Sequence, residues 1–215
     1  MRIRTVTDTT TQLTRYGFVN AYLVRDGDGF TLIDTTMNAA DGLIAAAPGP
    51  ITRIVLTHGH GDHVGSLDAL KEKLPDVPVH MPAIDAAIHA GERPKTKGMW
   101  PKLRTRPDVL LQPGDRVGSL EVIAAPGHTP GHVAFLDTRD RTLFAGDTFT
   151  SFGRVEVSNH FYWRFPLAAS ATANKTQDAE SARALRALDP TLLLVGHGPP
   201  TRDPRAAMDA AIARA

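Results

Sequence analysis

Thr57-His58-Gly59-His60-Gly61-Asp62-His63 is the stretch on which the reading of the whole chain turns. Three imidazoles and one carboxylate fall within the six residues His58 to His63, separated by two glycines. A helix or strand that only had to stay folded would not concentrate so much titratable chemistry. His58 and His60 are two apart, so in an extended segment they share a face. Gly59 and Gly61 permit the bend that carries Asp62 and His63 round to a second centre. The stretch reads as a metal-binding turn.

Working outward, four apolar runs each end in a side chain able to bind a metal. Ile54-Val55-Leu56 leads into the turn itself, and Val122-Ile123-Ala124-Ala125-Pro126-Gly127 leads into His128. Leu143-Phe144-Ala145-Gly146 leads into Asp147, and Leu192-Leu193-Leu194-Val195-Gly196 into His197. Strand ends on one edge of a sheet can converge on one point, and a glycine just before the donor leaves room for an ion. Five of the nine histidines lie in these positions. Imidazole nitrogen with some carboxylate oxygen suits zinc. Taken singly, His128 and His197 also read as hydrogen-bonded loop residues, and Asp147 as a turn or helix cap. It is the agreement of four strand ends that favours metal.

Composition narrows the field. The chain has 215 residues, which suits one sizeable core, and a single domain over residues 1–215 is expected. Lys plus Arg is 24 against 23 for Asp plus Glu, so nothing electrostatic calls for nucleic acid or an anionic membrane. With no cysteine, disulfides, thiolate zinc sites and Cys nucleophiles are excluded. Met1 to Leu13 is polar and Thr-rich, without the apolar core of a secretory signal, so a cytoplasmic location is expected.

The periodicities predict strands at Ile3–Val6, a hairpin of Phe18–Arg25 and Phe30–Asp34 around Asp26-Gly27-Asp28-Gly29, and a strand at Arg53–Thr57. Further strands are expected at Val77–Met81, Val109–Leu111, Leu120–Ala125, His132–Leu136, Thr142–Ala145 and Thr191–Val195. Helices are expected at Asn38–Ala47, Val64–Lys73, Pro82–Ala90, Lys175–Leu188 and Arg205–Arg214. Gly91 to Pro107, rich in charge and proline, reads as a loop that could cover a site, and Ser151 to Ala173 as irregular. Apolar strands such as Leu192–Val195 indicate sheets covered on both sides, hence two packed sheets with helices outside them.

At these same residues the chain resembles the metallo-β-lactamase-fold hydrolase superfamily. The motifs are His58-Gly-His60-Gly-Asp62-His63, Pro126-Gly127-His128-Thr129-Pro130-Gly131-His132, Gly146-Asp147-Thr148 and Gly196-His197-Gly198, in family order. Asp34, in Thr31-Leu32-Ile33-Asp34-Thr35, also matches an acidic position near the site. The resemblance implies an α/β fold, a four-layer αββα sandwich of two mixed β-sheets flanked by helices. It implies a dinuclear site with His58, His60 and His128 on one metal, Asp62, His63 and His197 on the other, and Asp147 bridging. Two Zn2+ ions are expected, with iron or manganese as other metals for such donors. The all-His/Asp set is similar to glyoxalase II and the quorum-quenching lactonases, among small bacterial members of unassigned substrate. No counterpart of the helical glutathione-binding domain of glyoxalase II is expected.

The implied reaction is hydrolysis. A hydroxide bridging the two metals would attack an ester, lactone, thioester or similar carbonyl, with Asp62 as the catalytic proton carrier. Asp34 is the candidate for fixing an imidazole tautomer. Thr57 and Thr148 read equally as core or turn residues, His132 as structural, and His80 and His89 as surface or packing residues. His160, Arg164 and Lys175 could bind an anionic substrate group, and Tyr162 could donate to an oxyanion. Phe161-Tyr162-Trp163 reads first as core packing or a dimer contact, and a dimer is compatible with it. The expected partner is a small-molecule substrate. Two other readings stand beside this one: a persulfide dioxygenase-like enzyme with one iron on His58, His128 and Asp147, and a non-catalytic metal-binding module.

Overall fold

The protein is described by a computed structural model covering residues 1–27 and 29–215, so that Asp28 of the expected hairpin turn lies outside the described residues. The chain divides into two compact units, Met1–Lys95 with Met99–Leu111, and Thr96–Gly98 with Gln112–Ala215.

The first unit contains β1 (Arg2–Thr5), β2 (Thr10–Arg15), β3 (Val19–Asp26), β4 (Gly29–Ile33), α1 (Ala40–Ala46) and β5 (Ile51–Val55). It continues with α2 (Gly61–Val64), α3 (Leu67–Lys73), β6 (Val79–Pro82), α4 (Ala83–His89) and β7 (Val109–Leu111). These strands form one seven-stranded sheet in chain order. Neighbours from β1 to β4 are antiparallel, and those from β4 to β7 are parallel. Parallel neighbours need crossovers, and α1 and α3 lie in the first two of them. Leu23, Leu32, Leu43, Ile54, Leu67 and Leu70 meet in one apolar core.

Two differences from the sequence reading have physical causes. Strand β2 was not expected, because Thr-Thr-Gln-Leu-Thr-Arg looks polar. Its alternate residues Thr10, Gln12 and Thr14 are nonetheless buried, and Thr14 Oγ1 bonds the Asn20 Oδ1 of β3 at 2.9 Å. The helix expected at Val64–Lys73 is two helices. At the break, the Ser66 amide donates to Thr36 O at 3.0 Å, and Ser66 Oγ accepts the Ala39 amide at 2.9 Å. Tertiary partners there outcompete the next helical bonds.

The second unit contains β8 (Arg116–Val117), β9 (Leu120–Ala124), β10 (Val133–Asp137), β11 (Thr142–Phe144), β12 (Phe149–Thr150) and β13 (Glu156–Val157). After these come α5 (Leu167–Ala171), α6 (Lys175–Ala187), β14 (Leu192–Leu194), β15 (Thr201–Arg202) and α7 (Arg205–Ile212). Its main sheet has the order β15-β14-β11-β10-β9-β8, and β12 and β13 form a separate pair. Because β9 and β11 are both antiparallel to β10, and β14 is parallel to β11, all three run the same way. Their carboxyl ends therefore share one edge of the sheet. Helix α6 buries Ala179, Ala182 and Leu185, and its cap residue Asn174 accepts the Gln177 amide at 3.1 Å. Among the described residues, no helix is long and apolar enough to cross a membrane.

Candidate metal centre

Parallel pairing in the first unit brings the carboxyl ends of β4, β5 and β6 side by side, the edge at which open sheets build binding crevices. Asp34 follows β4, and the His-rich turn follows β5. His58, His60 and His63 are buried, whereas the Asp62 side chain keeps 25% of its surface exposed. The His58 and His60 rings meet edge to face, centroids 4.9 Å apart, with donor atoms within 4.8 Å of each other. Helix α2 begins at Gly61, and its winding turns Asp62 and His63 back, so that His63 lies 4.2 Å from His58, centroid to centroid. A ring nitrogen of His63 and a carboxylate oxygen of Asp62 come within 4.8 Å.

Asp34 sets two tautomers at once. It occupies the left-handed region at φ 58°, which Asp tolerates better than most residues. Its Oδ1 accepts the Thr57 amide at 2.8 Å, and its Oδ2 accepts both the Thr57 hydroxyl and His63 Nδ1 at 2.8 Å. A carboxylate only accepts, so His63 carries its proton on Nδ1 and its lone pair on Nε2. The Thr57 hydroxyl proton is committed to Asp34. Its oxygen, 3.0 Å from His58 Nδ1, therefore accepts, and the His58 lone pair is also on Nε2.

The loop at 91–107 reaches this turn. Met99 O accepts the Gly61 amide at 2.8 Å, and the buried Trp100 ring lies 5.2 Å from the His60 ring, edge to face. Nothing in its composition announces these contacts, because one uses a backbone carbonyl.

In the second unit His128, Asp147 and His197 are buried together at the shared strand edge. Asp147 Oδ2 lies 3.4 Å from His128 Nε2 and 3.1 Å from His197 Nε2. His128 Nδ1 lies 3.0 Å from Thr172 Oγ1, whose single proton goes to Ser158 O at 2.7 Å or Ala168 O at 2.9 Å. The threonine oxygen thus accepts from His128 Nδ1, and Nε2 turns a lone pair toward Asp147. Two acceptors held face to face suit a cation between them, so the donors fit a metal. His132 Nε2 instead accepts the Asp147 amide at 2.9 Å and orients that residue through its backbone. The Phe165 ring stacks on His197 with centroids 4.6 Å apart.

Asp178 is an acid that sequence reading passed over. It is buried in the first turns of α6, and a Cβ on Gly127, at φ +139°, would collide with the Asp178 backbone. Burial pushes the Asp178 carboxyl up to about 8, the Asp147 charge adds to the rise, and the His128 amide opposes it.

The four substrate-binding candidates also belong to the second unit. His160 Nδ1 is 2.9 Å from Asn159 Oδ1, and its Nε2 is 3.3 Å from the buried Glu156. The Tyr162 hydroxyl donates to Phe152 O at 2.8 Å. Arg164 lies over the exposed Trp163 ring at 4.6 Å from its centroid, and Lys175 opens α6 in solvent.

With this geometry in view, known proteins place the chain. Residues 14–197 match the Metallo-beta-lactamase superfamily, and the chain belongs to it. YobT of Bacillus subtilis is 42% identical over 210 residues, covering 92% of this chain and 90% of YobT. The crystal structure of TTHA1623 in a di-iron-bound form superposes with a TM-score of 0.70 at 31% identity, covering 90% of this chain and 94% of that one. The hydroxyacylglutathione hydrolase of Rhodopseudomonas palustris is 39% identical over 116 residues, 52% of this chain but only 39% of that enzyme.

Proposed function

We propose that the chain is a two-metal hydrolase of ester, lactone or thioester carbonyls. His58, His60 and His128 would hold one ion, Asp62, His63 and His197 the other, and Asp147 both. The observation that carries this is the placement of Asp147 Oδ2 between the Nε2 atoms of His128 and His197, at 3.4 and 3.1 Å. Three tautomers, those of His58, His63 and His128, leave Nε2 as the ligating nitrogen. Membership of the superfamily and the name of the Rhodopseudomonas enzyme support hydrolysis. Zinc suits the donors, and the di-iron form of TTHA1623 brings iron in as the second metal reading.

When bound, such ions supply hydroxide from water near neutral pH and polarise a carbonyl. The chain's residues do the rest. Asp34 and Thr172 hold imidazoles with the lone pair inward. Asp62, the donor side chain with solvent access, is suited to take a proton and hand it to the leaving group. The partner is then a small-molecule substrate.

Metal analysis of purified protein, with a hydrolysis screen over acyl-homoserine lactones, thioesters, aryl esters and β-lactams, tests the reading. Near two metals per chain in the wild type, and hydrolysis abolished in Asp62→Ala, are expected. One tightly bound iron with oxygen uptake on a persulfide would overturn it.

A further inference from the structure

The geometry points to Asp85 and His89 of α4 as positioning residues that aim His58 and His60 by gripping Gly59 between them. This rests on the two-metal reading above. The Gly59 amide donates to Asp85 Oδ2 at 2.8 Å, and Gly59 O accepts from His89 Nε2 at 2.8 Å. One residue of the turn is thus held at both its polar groups by one helix, from side chains four apart. The peptide planes on either side of Gly59 set the directions in which the flanking imidazoles leave the backbone. Without this grip, a glycine is the residue freest to rotate there.

The glycine is needed for space. A Cβ at Gly59 would lie 2.5 Å from Trp100 Cζ3 and 2.8 Å from His89 Nε2. Trp100 also packs against both the His60 and His89 rings, centroids 5.2 Å apart in each pair. Asp85 is fully buried, in the first turn of α4, which follows β6 directly, and β6 pairs with the strand that feeds the turn. Asp62 and His63 are held by other means, namely the winding of α2, Met99 O and Asp34. The α4 grip therefore acts on the His58/His60 ion and leaves the other alone.

His89→Leu removes the donor, His89→Gln keeps an N–H of similar reach, and Asp85→Leu and Asp85→Asn do the same for the acceptor. Metal-free proteins are titrated with zinc against a chromophoric chelator. The two affinities are assigned with His60→Ala and His63→Ala references. Each Leu variant should weaken the His58/His60 ion by about 10–100-fold while the other stays within about threefold, and Gln or Asn should restore it. Unchanged affinities, or equal weakening of both ions, overturn the proposal. If the Leu variants do not fold, hydrogen exchange on the wild type decides. The Gly59 amide should be protected at least about a hundredfold, and fast exchange overturns the grip. A wild type that binds no zinc, yet protects Gly59, would sink the two-metal reading while leaving the grip in place without its purpose.

Discussion

Replacing Asp34 by Asn changes one oxygen of a buried carboxylate to an amide and leaves shape and backbone preference alone, since Asn also accepts the left-handed region that Asp34 occupies. The carboxylate faces donors on both sides: the Thr57 amide at Oδ1, and the Thr57 hydroxyl and His63 Nδ1 at Oδ2. An amide cannot satisfy both sides. With its oxygen toward the Thr57 amide, its NH2 faces His63 Nδ1, and the imidazole proton must move onto Nε2, where it blocks the lone pair that would ligate the metal. Turned the other way, NH2 faces the Thr57 N–H, and a buried donor goes unmet at about 1–3 kcal/mol. The first outcome should weaken the ion held by Asp62, His63 and His197 by about 10–100-fold, or roughly 1.4–2.8 kcal/mol. Zinc competition titration reads that loss, urea unfolding of metal-free protein reads the second outcome, and 15N chemical shifts of His63 report the tautomer. An Asp34→Asn protein with wild-type zinc affinities, wild-type metal-free stability and an unmoved His63 proton would show that Asp34 does not fix the His63 tautomer.

Other outcomes follow from the same geometry. Asp178, with its folded pKa near 8 against 3.8 ordinarily, is neutral in the fold while the unfolded chain ionises. Metal-free protein should therefore lose stability as pH rises from about 4 to 8, by roughly 5 kcal/mol for this group, and Asp178→Asn should flatten that decline in urea titrations. Parallel pH profiles for the two proteins would count against it. Gly127→Ala should cost about 3 kcal/mol or more, since its methyl meets the Asp178 backbone at a left-handed φ, whereas Gly91→Ala, in open space, should cost about 1 kcal/mol. Equal melting shifts would contradict this. Zinc at about a thousand times its Kd should stabilise stripped protein by about 4 kcal/mol, and a chelator should reverse the shift. No shift in calorimetry would mean that the folded chain holds no zinc.

The donors were legible because each lies where an apolar run stops. Burial of the strand and chemistry at its end are both local properties, so Ile54–Leu56, Val122–Ala125, Leu143–Ala145 and Leu192–Val195 could be read one at a time. The longer helices and strands were legible for the same reason; β2, the α2–α3 break, the two-residue strands β8, β12, β13 and β15, and helix α5 within the stretch read as irregular were not, because they are short or rest on tertiary partners. Of the residues that aim the donors, Asp34 was named but not its partner, and Thr172, Asp85 and His89 remained hidden. His63 is bonded to an aspartate 29 positions away, and His128 to a threonine 44 positions away. Sheet register, by setting β4 beside β5, decides the first pairing, and the crossover from β11 to β14 decides the second. His89 read as a surface or packing residue, and Trp100 sat unremarked in a charged loop, because a hydrogen bond to a backbone carbonyl, or a ring against a ring, leaves no pattern in sequence. Residue type and local pattern mark out the candidate metal-binding side chains. Which nitrogen of His58, His63 and His128 carries the lone pair is a matter of folding, because a tautomer is set by the neighbour that takes the other proton.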